Sequence, residues 1–86
     1  MKITYHTYFK KLYKKQSQKI QKKIDKSLKL FKEDISHPQL KNHILHGKFK
    51  GCRSINAGGD IRLIFREKDN YIEVLFVDFG THSELY

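Results

Sequence analysis

The 86-residue sequence predicts one α+β domain over residues 1–86, in the order β-α-α-β-β-β. A four-stranded, mainly antiparallel sheet packs against an N-terminal helical hairpin. Three observations carry this expectation. Ile20, Ile24, Leu28, Phe31 and Ile35 step by four, four, three and four, the stripe of an amphipathic helix. From Gly51 onward, three apolar segments are separated by turn signals, as in a meander of strands. No linker, repeat or low-complexity segment interrupts the chain, whose length leaves little room for a second core.

Taken in order, Lys2–His6 alternates, with Ile3 and Tyr5 on one side and Thr4 and His6 on the other, so it reads as a short strand. Thr7 is placed to cap a helix whose apolar face is Phe9, Leu12 and Tyr13. Gln16-Ser17-Gln18 is a break, with Ser17 as the next cap, and the stripe from Ile20 to Ile35 follows. Pro38 ends helical character and biases His37 towards extended geometry. Residues 39–50 form a polar connection anchored by Leu40, Ile44, Leu45 and Phe49. Strands are expected over Gly51–Ala57, Ile61–Arg66 and Tyr71–Phe79. The turns between them are Ala57-Gly58-Gly59-Asp60 and Lys68-Asp69-Asn70.

The formal net charge is +9, and it is unevenly spread. Residues 1–50 hold fourteen lysines against three acids, whereas residues 51–86 hold four basic residues against six acids. A lysine-coated hairpin with so few acids repels itself and favours a polyanionic partner: nucleic acid, a ribosome, an anionic membrane or an acidic protein. Cys52 is the only cysteine, so no intrachain disulfide forms, and it reads as a small buried residue of a cytoplasmic protein. No segment approaches the roughly 20 apolar residues of a membrane span, and no signal peptide is evident at the N-terminus.

Five histidines are present. His6 and His37 have no chemical company and read as structural. His43, His46 and His82 lie around the sheet segment with Asp60, Arg53, Arg62, Arg66, Lys48 and Lys50. In a meander, Asp60 begins one strand and His82 follows the next, which places both at one edge of the sheet. The closing stretch Gly80–Tyr86 alone could be a solvated tail anchored by Leu85. Beside Asp60 it reads instead as part of a site, because imidazoles, a carboxylate and arginines together suit RNA cleavage. That reaction takes a proton from a 2′-OH, gives one to a 5′ oxygen and stabilises a crowded phosphate. A zinc site from His43, His46 and either His82 or Cys52 is the weaker reading, since the spacing of the standard zinc motifs is missing.

His43-Ile44-Leu45-His46-Gly47, Gly51-Cys52-Arg53-Ser54, Asp60-Ile61-Arg62-Leu63-Ile64-Phe65 and Gly80-Thr81-His82-Ser83-Glu84-Leu85-Tyr86 closely resemble the RelE/ParE superfamily of bacterial toxins, and within it the YafQ-type branch. The resemblance is strong over residues 39–86. Over residues 1–38 only the order of elements and the basic character agree. It implies a toxin of a type II toxin–antitoxin pair that cleaves mRNA on the ribosome, without metal or cofactor. The implied partners are a cognate acidic antitoxin, the ribosome and mRNA, and no membrane. His43, Asp60, His82 and Tyr86 match the catalytic positions. Arg53 matches a basic position, and Arg62, Lys48, Lys50 and His46 are the further candidates for holding RNA. Asn56 stands where such toxins usually carry a second histidine, and it can hydrogen-bond but not exchange a proton near neutral pH. Two alternatives remain open on these residues: a binding-only inhibitor of DNA gyrase, as in the ParE branch, and a catalytically weak domain that only binds an antitoxin.

Overall fold

The computed structural model describes residues 1–86. Strand β1 (Lys2–Tyr5) leads into helices α1 (Thr7–Lys14) and α2 (Gln18–Glu33). Strands β2 (His43–Ile44), β3 (Arg53–Asn56), β4 (Ile61–Lys68) and β5 (Glu73–Thr81) follow, and a short helix α3 (His82–Leu85) ends the chain. The sheet has five strands in the order β1-β5-β4-β3-β2. Only the β1–β5 pairing is parallel. The count differs from the expected four because His43 and Ile44 leave the connection to pair with Ser54 and Arg53. Two residues are too few to show an alternating pattern in sequence.

The helical hairpin forms as its spacing dictates. Phe9 from α1 and Ile24, Leu28 and Phe31 from α2 are buried against Leu63, Phe65, Val74, Phe76 and Phe79 of the sheet. Phe31, Phe65 and Phe76 are fully enclosed, and the Phe31 ring meets the other two edge-on at 5.1 and 5.5 Å between centroids. Edge-to-face aromatic pairs of this kind add about 0.5–1.5 kcal/mol each beyond their burial. The Ser17 hydroxyl caps α2 by accepting from the Ile20 N–H. The cap of α1 is His6 rather than Thr7: its Nδ1 accepts from the Tyr8 N–H, while its backbone stays extended as it leaves β1. His37 does the same for the turn at Pro38–Leu40, where its Nδ1 accepts from the Gln39 N–H. Both histidines are thereby accounted for as local caps.

The fifth strand starts at Glu73, because Asp69, Asn70 and Tyr71 all take positive φ in the preceding turn. Asp and Asn tolerate that region. Tyr71 is held there by its N–H to Glu67 Oε2 and by its ring against Phe31 and Phe65. Ile44, expected as an anchor, is 55% exposed, because β2 is the outer strand of the sheet.

The face of the sheet turned away from α1 and α2 carries a second, smaller core. Leu45, Cys52, Ile64 and Leu85 are buried together there, with Phe49 and Val77 beside them. Leu85 comes from α3, so the last helix folds back over this face. Cys52 is one of its small buried residues, as its setting between Gly51 and Arg53 suggested.

Candidate active site on the open face of the sheet

Side chains alternate across a sheet, so strand register sorts the candidate residues by face. Leu63, Phe65 and Ile55 face the helices, which puts Arg62, Ile64, Ser54 and Asn56 on the open face. One rung across that face reads His43, Ser54, Ile64, Asp78; the next reads Asn56, Arg62, Gly80. Ile61 pairs with Thr81, so Asp60 and His82 are the residues just outside the last rung at the same end of the sheet.

His43 is exposed, and its Nδ1 lies 2.7 Å from the Lys41 carbonyl oxygen. A carbonyl can only accept, so Nδ1 carries the hydrogen, and in the neutral ring Nε2 has a free lone pair. Lys41 takes a left-handed conformation, φ 46°, uncommon for a residue with a Cβ. By register, His43 and Asp60 are two strands and four residues apart, roughly 16 Å between Cα atoms at strand spacings. They do not touch.

The tail is held by its own hydrogen bonds. Thr81 Oγ1 accepts from the Glu84 N–H, and Glu84 Oε1 accepts from the Thr81 N–H, a complete capping box. The Thr81 backbone and side chain together hold the Glu84 carboxyl below the usual glutamate range. Lys48 Nζ donates to the Leu85 carbonyl at 3.2 Å and lies over the Phe49 ring. The Tyr86 ring packs edge-on against Phe49 at 5.6 Å and against the His82 ring at 4.9 Å. His82 and Tyr86 stay exposed while Leu85 between them is buried.

Gly80 is the pivot of this fold-back. A Cβ there would lie 3.3 Å from the Glu84 Cβ and 3.5 Å from Leu85 Cγ. Gly80→Ala is therefore expected to loosen α3 and to lower stability by about 1–3 kcal/mol, the usual cost of overpacking. Thermal unfolding, with the amide signals of residues 81–86 followed by NMR, checks it.

Not all the expected residues meet. Arg53 stands apart: its position pairs with Phe65 on the helix side, and its Nε donates to Asn42 Oδ1 at 2.9 Å. Asn42 in turn donates to the Ile35 carbonyl and the Tyr71 hydroxyl, so Arg53 braces the connection against the main core. Arg62 is on the open face, but its Nη1 donates back to the Gly59 and Ile61 carbonyls at 3.4 and 3.2 Å. His46 precedes the Gly47–Phe49 turn without a side-chain cap bond, and Lys50 is exposed after it. No three His, Cys, Asp or Glu side chains lie close enough together to hold a metal ion.

One residue on this face went unread in the sequence. Asp78 pairs with Ile64, and its Oδ1 accepts from the Phe79 N–H at 2.8 Å. Burial raises its carboxyl above the usual aspartate range, against the opposing pull of the Phe79 N–H and the Lys48 ammonium. An acid inside the most apolar segment of the chain was the available signal. Because the folded-state pKa is raised, the native state binds more protons than the unfolded chain between the ordinary value and the raised one. Stability from this group thus falls as pH rises through that window. Asp78→Asn is expected to melt higher than the parent at pH 7, the gap closing towards pH 4, as thermal denaturation across that range would show.

Comparison with known proteins agrees with this architecture. A family model described as the bacterial toxin of type II toxin–antitoxin systems, YafQ, matches residues 1–86. Among curated proteins compared by sequence, none matches. Among solved structures, YafQ from E. coli superposes with a TM-score of 0.75 at 24% identity, covering 98% of this chain and 96% of that one. The E. coli DinJ–YafQ complex gives 0.68 at 26% identity, with the same coverage. A YoeB–YefM complex from Staphylococcus aureus gives 0.71 at 22% identity, covering 95% and 97%. With the family model spanning the whole chain, this protein belongs to the YafQ family of bacterial toxins of type II toxin–antitoxin systems.

Proposed function

We propose that this toxin is a ribosome-dependent mRNA endonuclease working by general acid–base chemistry on the open face of its sheet. The observation that carries the reading is the division of labour between the two faces. The helices occupy one face, while His43, Arg62 and the Asp60–His82 end of the sheet share the other. His43, with Nε2 free, is the group suited to take the proton from a 2′-OH. The 2′ oxygen then attacks phosphorus, and the bond to the 5′ oxygen breaks. His82 in its charged form gives that oxygen a proton. The products are a 2′,3′-cyclic phosphate and a free 5′-OH. Asp60 lies with His82 at the same end of the sheet. Arg62, Lys50 and His46 offer positive or hydrogen-bonding groups to phosphate, and Asn56, on the rung with Arg62, can hydrogen-bond but moves no proton. Tyr86, exposed and packed at a tilt on His82, offers a face for an unstacked base.

Lys48 is a strut in this reading more than a phosphate ligand, since its ammonium is engaged by the Leu85 carbonyl. The lysines of α1 and α2 supply the electrostatic attraction to ribosomal RNA. The partner that silences the toxin is an antitoxin encoded beside it, with acidic residues to match this surface, by analogy with the complexes of its relatives. The test is to induce the toxin in cells and map mRNA 5′ ends by primer extension. Discrete cuts within codons support the proposal. Intact mRNA with a DNA-damage response would point to gyrase instead. Intact mRNA without one would leave an antitoxin-binding domain.

A further inference from the structure

The β3–β4 turn has an unusual polarity. Gly58 and Gly59 take φ of 94° and 56°, which residues with a Cβ rarely adopt. Both glycine carbonyls of the turn are occupied. The Gly58 carbonyl accepts from the Ile61 N–H, the Gly59 carbonyl from Arg62, and the Ile61 carbonyl from the Ala57 N–H and Arg62. Its donors are not: the N–H groups of Gly58, Gly59 and Asp60 donate to no group of the protein. Three successive free donors on a turn of this kind make an anion-seeking surface.

The helix side of the same turn supplies charge. Gly58 and Gly59 line a concavity of about 380 Å³ with Lys23, Lys26 and Ser27 of α2. The Lys23 stem runs along the turn, with Cδ 3.7 Å from where a Gly58 Cβ would sit, and its Nζ is 4.0 Å from the corresponding point at Gly59. Both lysine ammonium groups lack a hydrogen-bond partner, while the Ser27 hydroxyl is fixed on the Asn56 carbonyl at 2.7 Å. The one acid of the turn, Asp60, is not among the residues that line this concavity.

We infer that the Gly58-Gly59 turn and the Lys23 and Lys26 ammonium groups form a second, non-catalytic phosphate site for single-stranded RNA. The inference rests on the nuclease reading for its geometry. A strand that presents its scissile phosphate to the open face near Asp60 crosses the tip of this hairpin, and a neighbouring phosphate then falls on the turn. Glycine is required at both positions for conformation, and a side chain at Gly58 would also meet the Lys23 stem. The site fixes where the strand lies and so which bond reaches the imidazoles.

The test uses the full chain and an uncleavable 2′-O-methyl RNA oligomer, so binding is read apart from cleavage. The amide signals of Gly58, Gly59 and Asp60 are expected to shift and saturate. Binding by fluorescence anisotropy should show a salt slope that falls by roughly 0.7 per lost phosphate contact in Lys23→Gln/Lys26→Gln. The pair Lys22→Gln/Lys29→Gln, on the same helix with the same total charge, should leave the three amide shifts unchanged. A single methylphosphonate walked along the oligomer should weaken the parent at one position where it leaves the Lys23/Lys26 variant unaffected. If that position is absent, or both lysine pairs behave alike, binding is diffuse and the inference fails. The nuclease reading would survive that result, since it stands on cleavage and on His82. Repeating the measurement with a fragment of ribosomal RNA in place of the oligomer tells the two RNA sources apart: a stronger effect of the Lys23/Lys26 pair on the fragment would overturn the assignment to the substrate strand.

Discussion

His82→Ala is expected to abolish mRNA cutting and growth arrest while leaving the fold and antitoxin binding intact. The ring is exposed and packs on Tyr86, so its loss should cost little stability. Its chemical part is large. Removing a positioned proton donor costs about 10²–10⁴-fold in rate. Ribosome-programmed cleavage, with circular dichroism and an antitoxin pull-down as companions, checks all three parts at once. Full toxicity of the variant would remove His82 from the mechanism.

The second large effect is expected from Leu85→Ala. Leu85 is 3% exposed and is the only residue of α3 in the second core, with Leu45, Cys52 and Ile64. Truncating such a leucine costs about 2–5 kcal/mol. For a domain of this size, whose whole stability is roughly 4–13 kcal/mol, that is a substantial share. The loss is local in character, because the main core on the other face does not contain Leu85. The expected result is a chain that keeps its helical hairpin and sheet but releases α3, with His82 and Tyr86, from the open face. Hydrogen exchange should show protection lost over residues 81–86 and around Leu45 and Cys52, with the α2 and β4 amides still protected. Cleavage should fall about as far as in His82→Ala. If the variant cut mRNA normally, docking of α3 would not be what positions the histidine.

The parts legible from sequence were those with long periods. The stripe from Ile20 to Phe31 became α2, with Ser17 as its cap, because sixteen residues give the helical period room to repeat. The two long strands were equally plain. The Asp60–His82 edge followed from meander topology alone, once Ile61 and Thr81 were paired. What stayed hidden depended on which face a residue took, or on hydrogen bonds that composition does not encode. Arg53 looked like a phosphate ligand beside Cys52 and Ser54, but a shift of one residue in a strand exchanges the two faces, and Asn42 holds it on the helix side. Asp78 was hidden by the apolar residues around it. The Gly58-Gly59 turn read as an ordinary hairpin, because its free donors become visible only once its hydrogen bonds are seen.

Asn56 sharpens what the site must do without. It shares a rung with Arg62 and Gly80, and its own carbonyl is tied to Ser27. With no proton-transfer group there, the proposed mechanism assigns acid and base chemistry to His43 and His82. Asn56→His is therefore expected to retain or raise the cutting rate, measured on programmed ribosomes beside the parent.

The central claim is that this chain cuts RNA by attack of the 2′ oxygen. The most direct measurement is the chemistry of the new ends after purified toxin acts on mRNA-programmed ribosomes. The account predicts 2′,3′-cyclic phosphate on the upstream fragment and a free 5′-OH on the downstream one. A 3′-OH with a 5′-phosphate, or mRNA left whole by a folded, antitoxin-free protein, would contradict it.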